Sequence, residues 1–222
     1  MIDRTKETPS LEEMTNSALT RLNKDKDGFF LMVEGSQVDW AGHDNDIVSA
    51  MSEMEDFEKA FKAAIEFAKK DKHTLVVATA DHSTGGYSIG SDGIYNWFGA
   101  PIKAAKRTPD FMANEIAVNG ADVEKTLKQY IDLELTEEEV ASVKTAAEQG
   151  KADKDKGILR VDNAIEVIFD KRSHTGWTTG GHTGEDVPVF AFGPGKEMFA
   201  GQKDNTDHAE IIFDILEKNK KK

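Results

Sequence analysis

GFFLMVEG, residues 28–35, and TLVVATADH, residues 74–82, are the two stretches on which the fold turns. Each is a continuous apolar run too short for a buried helix, so each reads as an interior strand with apolar side chains on both faces. From Asp46 to Lys70, the residues Val48, Met51, Met54, Phe57, Phe61, Ala64, Ile65 and Ala68 step by three and four, the spacing of a long amphipathic helix. Strand, helix, strand implies a right-handed crossover and hence a parallel sheet. The predicted class is α/β, a mostly parallel sheet with flanking helices.

Upstream, TPSLEEMTNSALTRLNK starts with Pro9 and Ser10 and repeats apolar residues at helical spacing, predicting a first helix that stops at the charged turn NKDKDG. Downstream, TGGYSIGSDGIYNW is glycine-rich and alternating, a hairpin or irregular β excursion. Four helices are predicted in TPDFMANEIA, DVEKTLKQYI, LTEEEVASVKTAAEQ and RVDNAIEVIFDK, with GKADKDKG as a polar loop among them. VPVFAFGPG reads as a third buried strand and HAEIIFDILEKN as a closing amphipathic helix. The expected organisation is a first part of the α/β core over 1–99, a helical, lid-like insertion over 100–172 and the last part of the core over 173–222.

The 222 residues carry 41 acidic and 28 basic side chains, a formal charge of −13, and no cysteine. Disulfides and thiolate metal sites are thereby excluded. The acidic balance argues against a nucleic-acid partner, because phosphate neutralisation needs clustered Lys and Arg. The only basic block, Lys218, Lys220, Lys221 and Lys222, reads as a solvated end. No apolar run is long enough for a membrane span, and MIDRTKETPS lacks the apolar stretch of a signal peptide.

Chemistry concentrates where the predicted strands end. In VEGSQVDWAGH, Asp39 and His43 are spaced i, i+4, which puts both on one face of a helical turn as a workable pair of ligands for one zinc ion. Asp81 and His82 follow LVVATA directly and can share an ion only if the strand has already ended there. His182 lies in a glycine-rich loop before the last predicted strand, with Glu34 at the end of the first. Taken singly, each is as well explained as a polar loop residue. Together they fall where an open α/β sheet gathers its functional groups, and Asp and His without Cys suit hydrolytic zinc or mixed zinc and magnesium.

NKDKDGFFLMVE places Asn23, Asp25, Asp27, Gly28 and Glu34 at calcium-loop positions, but FFLMV is strand-like where that motif needs a helix. The turn reads as a solvated connection, with calcium binding the lesser reading. There is no G-x-S-x-G, no G-x-x-x-x-G-K-[ST] and no H-E-x-x-H, and Ser36, Ser83 and Ser173 read as loop hydroxyls.

FFLMVEGSQVDWAGHDN, TLVVATADHSTGGY and GGHTGEDVPVFAFGP resemble, in this order, the three metal-binding motifs in the C-terminal half of alkaline phosphatases, most of all those of the Bacillus kind. The resemblance implies hydrolysis of phosphate monoesters at a two-zinc plus magnesium site through a phosphoseryl intermediate. It places Asp39, His43 and His182 on the first zinc, Asp81 and His82 on the second and Glu34 on magnesium. Trp40 would stand beside them, at a position that varies in the family and tunes the magnesium region. It further implies secretion, or a periplasmic or cell-surface location.

In that family the nucleophilic serine, the phosphate-clamping arginine and the remaining ligands belong to an N-terminal half that finds no counterpart here. The chain alone is therefore expected to be inactive, and to form a homo-oligomer or associate with the missing half. The competing readings are an inactive metal-binding or assembly fragment and another metalloenzyme of the same superfamily.

Overall fold

A computed structural model describes residues 1–152 and 156–220. Asp153, Lys154 and Asp155 of the polar loop and Lys221 and Lys222 of the basic tail lie outside the described residues. The chain divides into two units, one of Met1–Lys6, Ser36–Met54 and Thr84–Thr183, the other of Glu7–Gly35, Glu55–Ser83 and Gly184–Lys222.

The first unit holds α2 (Gln37–Asp44), the start of α3 (Ile47–Asp71), α4 (Ala100–Lys103), α5 (Pro109–Ala117), α6 (Val123–Tyr130), α7 (Glu137–Ala152) and α8 (Gly157–Ser173). Their starts are written locally. Thr108 accepts a bond from the Phe111 amide with Pro109 in the first helical position, Asp122 accepts from the Lys125 amide, and Asp46 accepts from the amides of Val48 and Ser49. α8 runs through the middle of this unit. Its Val161, Ile165, Ile168 and Phe169 are buried with Met112 and Ala113 of α5, Leu127 of α6 and Val143 of α7. Arg172 closes the packing at the end of α8, donating from Nε and Nη2 to the two carboxylate oxygens of Glu139 at 2.7 Å each.

The second unit holds α1 (Leu11–Leu22), the rest of α3, β1 (Val76–Ala78), β4 (Phe190–Phe192), a 3-10 turn at Lys196–Phe199 and α9 (Asn205–Lys220). The Ser10 hydroxyl accepts from the Glu13 amide while the Glu13 carboxylate accepts from the Ser10 amide, a reciprocal cap worth about 1 kcal/mol. All seven predicted helices are present, with boundaries shifted by a few residues.

The predicted parallel sheet is not found among the described residues. Among the described residues the strands make two two-stranded sheets, β1 with β4 and β2 (Ser83–Thr84) with β3 (His182–Thr183). β1 and β4 run antiparallel, with Val77 opposite Ala191. The run at 28–35 joins neither sheet. Its burial still alternates with the period of a strand: Phe29, Leu31 and Val33 are half-buried, with Phe29 edge-on to Phe67 of α3, while Phe30 is 60% and Met32 77% exposed. An apolar run on two faces encodes a strand flanked on both sides, and without neighbours to take its backbone N–H and C=O groups no ladder forms. The third predicted strand shrinks for the same reason to Phe190–Phe192, and Phe190 is exposed rather than buried. The segment after His82 is irregular as expected, fastened by Ser88 and Gly176, which exchange backbone hydrogen bonds.

Candidate metal centre

α2 is a helix where the sequence shows only a polar stretch with ligand spacing. Asn45 ends it in the left-handed conformation, and the Asn45 side-chain Nδ2 donates to the carbonyls of Gly42 and Thr179, each at 2.9 Å. Close approach of backbones explains two glycines here. A Cβ on Gly42 would sit 3.0 Å from the Thr84 side chain, and one on Gly85, whose φ is +80°, would sit 2.7 Å from the Gly42 carbonyl and the Trp177 ring. The loops at 84–86 and 178–182 thus lie directly against the ligand-bearing helix, and all of these residues belong to the first unit.

Within it, Asp39, His43 and His182 come together. The two Nε2 atoms face one another at 3.1 Å, Asp39 Oδ2 is 3.5 Å from His43 Nε2, and Asp39 Oδ1 is 3.9 Å from His182 Nε2. His43 Nδ1 donates to the Gly180 carbonyl at 2.8 Å, which fixes the tautomer and leaves the Nε2 lone pair turned towards His182. The Thr84 hydroxyl donates to Asp39 Oδ1 at 2.5 Å. Two imidazole nitrogens and a carboxylate converging from partly exposed positions suit a first-row divalent ion with a coordination position left over, the arrangement of catalytic rather than structural sites.

Thr84→Val removes the hydroxyl that orients Asp39 while keeping the side-chain volume. It should weaken divalent-ion affinity at this cluster by about 10- to 100-fold, read by competition with a chromogenic chelator, at nearly unchanged thermal stability.

Glu34, Asp81 and His82 lie in the second unit. Glu34 ends the unpaired apolar run and is exposed. Asp81 Oδ2 is 3.3 Å from His82 Nε2, so the neighbouring pair does turn to one side once the strand has ended at Ala78. Trp40, on α2, is 68% exposed. Ser173, read from the sequence as a loop hydroxyl, is instead the last residue of α8 and is fully buried, hydrogen-bonded to the Thr175 hydroxyl at 2.7 Å.

Sequence reasoning missed a second acidic group in the first unit: carboxylate oxygens of Asp44, Asp162 and Glu166 lie within 4.8 Å of one another. A signal was there, because Asp162, Glu166 and Asp170 recur every four residues in phase with Ile165, Ile168 and Phe169 on the packed face of α8. Burial, reinforced by neighbouring carboxylates, pushes Asp162 up to about 8 and Glu166 up to about 10. Asp170, whose carboxylate accepts from the Trp177 indole, is pushed by burial up to about 7.

Residues 1–218 match the alkaline phosphatase family, and the chain belongs to it. Among particular relatives, it is 73% identical to alkaline phosphatase 3 of Bacillus subtilis (strain 168) over 221 residues, covering 98% of this chain and 46% of that protein. A cold-active alkaline phosphatase from a psychrophile, Shewanella sp., superposes with a TM-score of 0.88 at 39% identity, over 97% of this chain and 52% of that one. A variant of the alkaline phosphatase from the Antarctic bacterium TAB5, whose structure has Mg bound in its M3 site, superposes with a TM-score of 0.55 at 27% identity, over 93% of this chain and 41% of that one. The chain thus spans about half the length of the curated relatives it matches.

Proposed function

We propose that these residues form the larger share of the ligands of an alkaline phosphatase site that hydrolyses phosphate monoesters with zinc and magnesium as cofactors. The observation that carries this reading is the convergence of Asp39, His43 and His182. Asp39, His43 and His182 would hold one zinc, Asp81 and His82 would contribute to a second, and Glu34 would contribute to magnesium. The magnesium of the TAB5 variant supports the last of these. Once bound, such ions supply Lewis-acid stabilisation of the charge that develops on phosphoryl, attacking and leaving oxygens.

The chain's own part is to hold these donors ready. Gly180 keeps the His43 proton on Nδ1 so that Nε2 stays free to bind, and Thr84 holds Asp39 with one oxygen towards each imidazole. The nucleophilic serine would lie in the part of the family's length that these 222 residues do not cover. Residues 100–172 would be a helical, crown- or lid-like insertion, and export from the cell would follow from the family. No described helix is long and apolar enough to cross a membrane.

Expressed alone, the chain should turn over no p-nitrophenyl phosphate. Coexpressed with the first half of alkaline phosphatase 3 of Bacillus subtilis, it should gain turnover that EDTA abolishes and Zn2+ plus Mg2+ restore. A soluble, associated pair that stays inactive with both metals present would reject the reading.

A further inference from the structure

Outside the histidine cluster, the first unit contains one arrangement that ordinary packing does not account for. Asp162 and Glu166 are 4% and 6% exposed on the inner side of α8, and Asp162 Oδ1 and Glu166 Oε1 have no hydrogen-bond partner. Among the described residues no Lys, Arg or His forms an ion pair with either of them or with Asp44, whose exposed carboxylate completes the trio from the end of α2. Nearby carboxylates are otherwise occupied: Asp46 caps α3 and Asp170 accepts from the Trp177 indole. Two buried carboxyl groups, each with an unsatisfied oxygen and both grouped with a third carboxylate, form a costly arrangement, and a cation among them supplies the missing partners.

We propose that Asp44, Asp162 and Glu166 form a calcium site distinct from the phosphatase centre. The donors are all hard oxygens, which excludes the preference for imidazole that marks the neighbouring cluster. Three carboxylates whose oxygens lie within 4.8 Å of one another can reach a single ion, and Ca2+ takes such carboxylate oxygens in flexible geometry where Mg2+ demands a near-ideal octahedron and holds on to its water. Asp44, exposed at the rim, gives the ion a route in, and water completes the coordination. The consequence is mechanical. Asp44 follows His43 directly, so the ion ties the ligand-bearing end of α2 to α8, the best-packed helix of the unit.

The test uses the whole protein that contains this chain, stripped of metal, reloaded with Zn2+ and Mg2+, and titrated calorimetrically with Ca2+. The expected result is one Ca2+ bound per chain, with a melting temperature that rises on Ca2+ addition. Asp162→Asn combined with Glu166→Gln should lower Ca2+ affinity by about 100-fold and remove the thermal response, while melting no lower than the Ca2+-free parent. Should that pair fail to fold, Asp44→Asn, at an exposed position, should itself weaken Ca2+ by about 10-fold. His182→Ala should leave Ca2+ binding intact, which separates this site from the zinc ligands. No Ca2+ uptake by the parent, uptake undiminished in the folded variants, or tighter binding of Mg2+ than of Ca2+ would overturn the proposal.

Discussion

His182→Ala should lower the affinity of this chain for zinc by about 100- to 1,000-fold while leaving its fold in place. A four-ligand zinc site is worth about 10–16 kcal/mol, so one ligand carries about 3–4 kcal/mol, or two to three powers of ten in the binding constant. The His182 side chain is 51% exposed, so its removal leaves no cavity in the core. His43→Ala should lose as much and also free the Gly180 carbonyl that now receives the Nδ1 proton. Metal content by elemental analysis after dialysis at sub-micromolar zinc checks both, with circular dichroism as the control for folding. Unchanged zinc content in His43→Ala would remove the ligand assignment on which the proposed phosphatase site rests.

Phe169→Ala should cost about 3–5 kcal/mol, a large share of the roughly 5–15 kcal/mol that stabilises a typical domain. Phe169 has no exposed surface and shares the α5–α8 core with Met112, Val143 and Ile165. Leu159→Ala is the matched control, on the same helix but 49% exposed, and should change stability by less than about 1 kcal/mol. Urea unfolding followed by tryptophan fluorescence reads both. Equal losses at the two positions would mean that α8 is not the centre of this unit.

The helices were legible because their signals are local. Ser10 with Glu13, Thr108 with Pro109, and Asp122 mark starts within four residues of the bonds they make, and the apolar spacing of α3, α5, α7 and α8 names the packed face. The strands were not. GFFLMVEG keeps the alternation of a strand, yet whether it pairs depends on backbone partners that no property of those eight residues can specify. The acidic stripe on α8 was visible as spacing but was hidden as chemistry, since Asp and Glu at helical intervals usually face water.

By itself, then, the sequence determined seven of the helices and the i, i+4 spacing that sets Asp39 and His43 on one side of α2, because each depends on residues within a turn or two of each other. Its motif order was enough to indicate the alkaline phosphatase family, which the match over residues 1–218 established. Tertiary structure alone decided that His182, 139 residues beyond His43, brings its Nε2 to 3.1 Å from the other imidazole, and that Asp44 meets Asp162 and Glu166. Such meetings are set by how helices and loops pack, through glycines at 42 and 85 that let two backbones approach where a side chain would hold them apart.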